Sequence, residues 1–319
     1  MEEISVVIPV FNEEKGLPEL YTRLTTSLNL ITDNYKLIFV DDGSKDNTLA
    51  YITGLSNVDK HVSYISFSRN FGHQVAISAG LDFAQGNTVV IIDGDMQDPP
   101  ELIPDLYKKY KEGYNVVYAK RSARRGEKIY KKVAANIFYR TLRSITTVDI
   151  PLDTGDFRLI DRKIVNVLKK MPEKTKFFRG QIAWIGFKQT SVEFERDYRK
   201  YGEAGYTVSK LVKLAFDGIT GFSEVPMRLA LWMGFIISGG AFIILLFTIY
   251  YRFIMKDVFS GTTVLVICFM FIGGIQLLTI GIIGEYLNRI NNETRNRPLY
   301  IIEDTNLAKE PDNTATQQL

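Results

Sequence analysis

The amino-acid sequence predicts an α/β domain built on a mostly parallel sheet, followed by a C-terminal hairpin of two membrane-spanning helices. Three observations predict it. Apolar runs rich in β-branched residues alternate with helically periodic stretches, a polar cluster follows each of four such runs, and two long uncharged runs lie at 229–251 and 262–284. The layout that follows is a domain over 1–208, an interfacial region over 209–228, a hairpin over 229–284 and a tail over 285–319.

The strand signals fall at 4–10, 36–40, 62–67 and 88–92, and helical periodicity fills 14–30, 45–55 and 73–85. Strand alternating with helix means parallel pairing, because a parallel neighbour needs a crossover. Ligands of such sheets sit beyond the carboxyl ends of the strands. PVFNEE, DDGS, SRNFGH and DGDMQDP occupy those four ends. Taken singly, each cluster has a plain structural role: Ser44 and Asp46 are good helix-capping types, and Pro99-Pro100 suits a helix start. Taken together they predict one crevice for a nucleotide and a metal.

Composition narrows the chemistry. With 46% apolar and 24% charged residues the 319-residue chain is globular on average. One cysteine, Cys268, excludes a disulfide framework and any multi-thiolate metal site, and His61 and His73 are the only histidines. A metal must then be held by oxygens. Residues 93–98 read DGDMQD. Alternate positions of an extended segment project together, so Asp93, Asp95 and Gln97 present three oxygen-bearing groups, a set that suits Mg²⁺ or Mn²⁺ completed by phosphates. A net charge of +3 with both signs intermixed suggests attraction to phosphates or an anionic membrane face and no nucleic-acid partner.

The run at 229–251 has 23 residues without a charge and would reach roughly 34 Å as a helix, enough to cross a bilayer core. The run at 262–284 matches it in length and also lacks charge. Lys210, Lys213 and Arg228 precede the pair and Arg289, Arg295 and Arg297 follow it, against Arg252 and Lys256 between the spans. The positive-inside tendency puts both ends of the chain in the cytoplasm. Residues 209–222 alternate basic and apolar types at helical spacing, as in a helix lying on the leaflet, although a core helix has the same pattern. After Glu303 the chain is short and polar and is read as disordered.

These strings, in this order, resemble the inverting family-two glycosyltransferases with the GT-A fold, and among them the polyprenyl-phosphate glycosyltransferases related to dolichol-phosphate mannose synthase. The carrying strings are VIPVFNEE at 7–14, VDDGSKDNT at 40–48, SRNFGHQVAISAGLDFAQG at 68–86, DGDMQDPPE at 93–101, TGDFRLIDRK at 154–163 and RKYGEAGY at 199–206. The hairpin is similar to that of bacterial members acting on undecaprenyl phosphate. The resemblance implies a UDP-sugar donor, a polyprenyl phosphate acceptor, a Mg²⁺ or Mn²⁺ cofactor, a homotetramer and a place in the bacterial inner membrane.

By the same resemblance, Pro9, Phe11, Glu13, Asp41, Asp42 and Asp93 bind the nucleotide-sugar, and Asp93, Asp95 and Gln97 hold the metal. Arg121 and Arg199 clamp the donor and lipid phosphates. Asp156, with Asp93 and Asp95, is a candidate catalytic residue. A phosphate monoester has a second pKa of about 6, so the acceptor is already largely ionised and Asp156 has more to orient than to deprotonate. The basic run at 120–132 is either a solvated helix face or a flap over the site. The sugar stays open among glucose, N-acetylhexosamine and amino-arabinose. A processive polysaccharide synthase lacks support, since the nearest acceptor-like string at 181–184, QIAW, has no arginine. A nonenzymatic nucleotide-binding membrane module is the alternative from another class.

Overall fold

The computed structural model describes residues 3–121, 154–194 and 261–307, together with helical positions 230, 232–237, 239–240, 243, 246 and 250. One compact unit combines the N-terminal part with residues from Arg297 onward, and a second holds the apolar C-terminal helices.

In the first unit the elements run β1 (Ile4–Val10), α1 (Leu17–Asn29), β2 (Tyr35–Asp41), α2 (Thr48–Val58), β3 (Val62–Phe67), α3 (His73–Phe83) and β4 (Thr88–Ile91). A 3-10 turn, Pro100–Leu102, leads into α4 (Ile103–Lys111) and β5 (Val116–Arg121). Then come β6 (Thr154–Asp161), α5 (Arg162–Lys170), α6 (Phe178–Ile185) and β7 (Gln189–Phe194). The eight-stranded sheet has the order β7-β5-β6-β4-β1-β2-β3-β8, where β8 is Ile302–Thr305. Its centre, β4-β1-β2-β3, is parallel as expected, and β6 pairs antiparallel with both β4 and β5. This is the GT-A-like α/β architecture that the resemblance implied.

Helices cover both faces because the central strands are apolar on both. Ile4, Val6, Ile8 and Val10 of β1 pack with Leu17, Leu20, Leu24 and Leu28 of α1 and with Ile103 and Leu106 of α4. Val7, between them in sequence, joins Ala76, Ile77 and Ala79 of α3 and Ile164 and Val165 of α5 on the opposite face. That alternation is the two-residue period of a strand. Each fully buried Ile or Leu contributes roughly 2–3 kcal/mol.

The end of the first unit departs from expectation. The first residues of the tail read as disordered after Glu303 are instead ordered: Asp304 and Thr305 belong to the edge strand β8, antiparallel to β3, and residues 308–319 lie outside the described residues. Tyr300 stacks on Phe67 at 5.2 Å between centroids and donates its hydroxyl to Asp82 at 2.9 Å. The Tyr64 hydroxyl donates to Asp304 at 2.7 Å, and the Thr305 hydroxyl to the Tyr64 carbonyl at 2.6 Å. A short polar segment gives no periodic signal, yet its backbone completes an otherwise open sheet edge.

In the second unit, α7 (Gly261–Thr294) has 34 residues and would extend about 51 Å. Its stretch Phe271–Asn288 has a mean hydropathy of 1.3, is unburied, and is long and apolar enough to cross a membrane. Among the described residues it is the one helix that meets this criterion. Of the span read at 229–251, twelve of 23 residues are described and all twelve are helical, whereas the interfacial region at 209–228 lies wholly outside the described residues.

The packing of β8 predicts that Tyr300→Phe, which deletes the bond to Asp82, costs about 1–2 kcal/mol, and that Tyr300→Ala, which also deletes the ring contact, costs about 3 kcal/mol. Thermal unfolding of the detergent-solubilised chain measures both; an unchanged midpoint for Tyr300→Ala contradicts the docking of β8.

Candidate active site

The loops after β1 and β2 are zipped together by their own polar side chains. The Ser44 hydroxyl accepts from the Asn12 amide at 2.9 Å, and the Asn12 side-chain oxygen accepts from the Lys45 amide at 2.8 Å. The Thr48 hydroxyl accepts from the Glu13 amide at 2.9 Å, and the Glu14 carboxylate from the Asn47 amide at 3.0 Å. These bonds delay the helices: α1 and α2 each start three residues later than their periodicity suggests, since Glu14 and Asp46 serve the loops first. Gly43 has φ +72, and a Cβ there would lie 2.5 Å from the Arg69 carbonyl carbon, so only glycine fits the turn.

Asp41 ends β2 and is buried. Its carboxylate accepts from the Ser44 amide at 3.3 Å and from the Ser66 hydroxyl at 3.4 Å. Burial raises its pKa, and the Ser44 hydroxyl and amide partly offset that. Asp42 is committed to the backbone: it accepts from the Phe71 amide at 2.6 Å and the Gly72 amide at 2.9 Å, fixing the loop that starts α3. Burial raises its pKa as well. Pro9 is buried in β1, Glu13 is nearly so, and Phe11 stands 42% exposed at the rim. Pro9, Phe11, Glu13 and Asp41 thus occupy the carboxyl edge of β1 and β2.

After β4 the chain turns where an extended segment was expected. Met96 has φ +61, and the Asp95 carboxylate accepts from the Gln97 amide at 3.1 Å. The one-sidedness survives for another reason. Gly94, Met96 and Asp98 are buried, and Asp93, Asp95 and Gln97 between them are part-exposed, because the turn inserts every second side chain into the domain. Among the described residues no group of three or more His, Cys, Asp or Glu side chains is arranged to hold a metal. Asp95 and Gln97 offer a carboxylate and an amide oxygen on one side, which fits a hard divalent ion that takes most of its ligands from water and phosphate. Asp93 is drawn the other way, with Oδ1 3.3 Å from His73 Nε2.

The centre of the site is built by the register of β6. Thr88 pairs with Asp161 and Ile91 with Arg158; carried two residues further, that register sets Asp93 opposite Asp156. His73, the first residue of α3, joins them, with Nε2 3.2 Å from Asp156 Oδ2. Gln74 donates to the same oxygen at 2.9 Å and accepts from the Phe178 amide at 3.2 Å, tying α3 to α6. Arg179 Nε donates to Asp156 Oδ1 at 3.0 Å. Arg158 lies 3.7 Å from that oxygen and donates to the backbone carbonyls of Gly155 and Asp156.

Electrostatics follow this geometry. Burial alone would raise Asp156, but Arg179, His73 and Arg158 overcome it and hold the carboxyl well below the usual range. Burial would lower His73; Asp93 and then Asp156 outweigh it, and its pKa is pushed up to about 9. Burial pulls Arg158 down to about 10, against the opposing pull of Asp156.

Residues 5–168 match the family model described as glycosyl transferase family 2. The chain belongs to glycosyltransferase family 2. The glycosyltransferase is 48% identical over 301 residues to the Bacillus subtilis protein called uncharacterized glycosyltransferase YkcC, with 94% of this chain and 93% of the relative covered. It is 39% identical to the Escherichia coli K12 prophage bactoprenol glucosyl transferase homolog, covering 94% of this chain and 98% of the relative. Among solved structures, Mycobacterium tuberculosis glucosyl-3-phosphoglycerate synthase with Mn²⁺, UDP and phosphoglyceric acid gives a TM-score of 0.47 at 19% identity, covering 69% of this chain and 76% of that one.

Of the residues that the sequence singled out in this glycosyltransferase, Asp93 and Asp156 both reach His73 Nε2, and Asp95 and Gln97 share a side of one turn. Arg121 ends β5 and its side chain, like all of Arg199 and residues 122–132, lies outside the described residues. Sequence reasoning missed His73, Gln74 and Arg179 as site residues. The string SRNFGHQ at a strand end, with one of only two histidines, signalled the first two; nothing in the sequence signalled Arg179.

Since the folded pKa of His73 lies above its unfolded value of about 6.5, the stability it contributes is complete below pH 6.5 and is lost as pH rises through about 9. The metal-free protein is expected to lose thermal stability across pH 6.5–9, and His73→Asn to flatten that decline. Parallel profiles for the two proteins contradict the bridge.

Proposed function

We propose that this enzyme transfers glucose from UDP-glucose to a polyprenyl phosphate, with inversion, giving a lipid-phosphate-linked sugar for cell-surface glycans. The near-full-length match to a relative named for bactoprenol glucosyl transfer carries this reading, because the matched length extends over 94% of the chain and so past the family-2 region that ends at residue 168. The carboxylate and cation cluster where β4 meets β6 supports it with suitable chemistry.

In the proposed reaction a phosphate oxygen of the lipid forms a bond to the anomeric carbon as the bond from that carbon to the diphosphate breaks, the electrons leaving with UDP. No proton has to move when the phosphate arrives as a dianion. Asp41 receives the uracil imide at the end of β2, Phe11 offers its exposed ring face to the base, and Pro9 and Glu13 shape the floor. Asp42 contributes by holding the loop before α3. Asp93 faces the donor and Asp156 the acceptor, with His73 fixing their separation. A Mg²⁺ or Mn²⁺ ion held by Asp95 and Gln97 would neutralise charge on the departing diphosphate. Arg121 and Arg199 are proposed to contact the phosphates.

The membrane part of the proposal is a two-helix hairpin over 229–251 and 262–284, with the enzyme domain and both termini cytoplasmic, and chains associating as a homotetramer. An anchored enzyme meets a bilayer-bound phosphate at high effective concentration. Incubation of the membrane-reconstituted chain with UDP-glucose, Mg²⁺ and undecaprenyl phosphate should yield a glycolipid heavier by one hexose. Asp95→Ala should lower its rate by at least about 100-fold, since it removes ionic stabilisation of the leaving group. Product formation without lipid, or an Asp95→Ala enzyme as fast as wild type, contradicts the proposal.

A further inference from the structure

We infer that Tyr300 is a positioning residue for the nucleotide donor: through the rings of Phe67 and Phe71 it holds the loop that backs the nucleotide pocket, so the pocket is competent only while the segment after α7 is docked. The inference rests on the UDP-sugar reading above and adds to it a residue outside the strand-end motifs.

The strand order leads there first. Asp41 pairs across the sheet with Ser66, and Ser66 with Asp304 of β8, so the carboxylate proposed to receive the uracil and the edge strand lie in one row with β3 between them. The Ser66 hydroxyl donates to Asp41 at 3.4 Å. Just past that row the register of β3 with β8 shifts between Ser66 and Phe67, and the Ser68 amide donates to the Ile301 carbonyl at 3.1 Å. The chain that enters β8 is therefore bonded to the first residue of the loop 68–72.

Rings carry the contact into that loop. Tyr300 stacks on buried Phe67, Phe67 meets Phe71 edge-on at 5.6 Å between centroids, and the Arg69 guanidinium lies 4.1 Å from the centre of the Phe71 ring. Such ring pairs are directional, so each fixes the tilt of the next. The loop backbone in turn supports the pocket. Asp42 accepts from the Phe71 and Gly72 amides, and the Arg69 backbone lies against Gly43, the residue before Ser44, whose amide binds Asp41. A loop released from the rings strips a buried carboxylate of two donors and loosens the turn that carries Ser44. The Tyr300 hydroxyl donates to Asp82 on α3, the helix that begins with His73. One residue thus touches the strand before the loop and the helix after it, and only residues 295–299 separate it in the chain from α7.

The test is calorimetric titration of the detergent-solubilised full chain with UDP and Mg²⁺, at a temperature well below the unfolding midpoint of each variant. An apparent Kd rises by the inverse of the competent fraction, so Tyr300→Ala should weaken UDP binding at least about 5-fold with the number of sites per chain unchanged, while Tyr300→Phe, which keeps the ring, stays within about 2-fold of wild type. Fewer sites at an unchanged Kd are the mark of partial unfolding alone and overturn the positioning role, as does full binding by Tyr300→Ala. A Tyr300→Phe chain weakened as much as Tyr300→Ala overturns the route through the rings. Should Tyr300→Ala not fold, Phe71→Leu, which leaves β8 untouched, decides: a Kd raised at least about 3-fold supports the inference, and an unchanged one overturns it. A wild-type chain that binds no UDP overturns the donor reading itself, and the inference with it.

Discussion

The site depends on one strand running against its neighbours. Four parallel strands bring their carboxyl ends to a common edge, where the candidate groups sit on the last residues of the strands, as Pro9 and Asp41 do, or on the loops that leave them. β6 enters the sheet from the opposite direction, so its first residues arrive where β4 ends and the pairing register sets Asp156 against Asp93. Two carboxylates so close in a partly dry crevice would repel strongly. His73 lies within 3.3 Å of both and turns that repulsion into an attraction toward a shared cation.

Placing the cation there has a cost that other elements offset. His73 begins α3, where the helix dipole disfavours positive charge. The loop before it is fixed through Asp42, whose buried carboxylate gathers the Phe71 and Gly72 amides and so offsets its own burial. In the proposed reaction the motif residues therefore divide between those that meet substrate and those that hold the loops that do. Asp41 and Asp42, adjacent in sequence, fall on opposite sides of that division.

Much of this was legible in the sequence. The parallel centre of the sheet and the polar strand ends both followed from periodicity and residue chemistry, because a strand that is apolar on both faces has to be covered on both, and helical crossovers do that. Three things were not legible. The edge strand β8 has no apolar period and forms only because β3 offers an open edge. The 93–98 segment keeps its two-residue alternation through a turn with Met96 at positive φ, which residue type does not announce. Arg179 lies more than 20 residues from Asp156 and on another element, so only the tertiary fold brings them together. The long apolar helix α7 was legible from composition alone, since residues 262–284 carry no charge to turn toward water.

Energetic coupling between His73 and Asp156 is the most direct measure of this arrangement. A double-mutant cycle on kcat/KM with His73→Asn, Asp156→Asn and the double variant separates a shared unit from two independent contributors. If the bridge is one unit, the second substitution adds little to the first, and the double variant falls short of the product of the single losses by at least about 10-fold. Losses that simply multiply would show that the two residues act separately and that their contact has no part in organising the site.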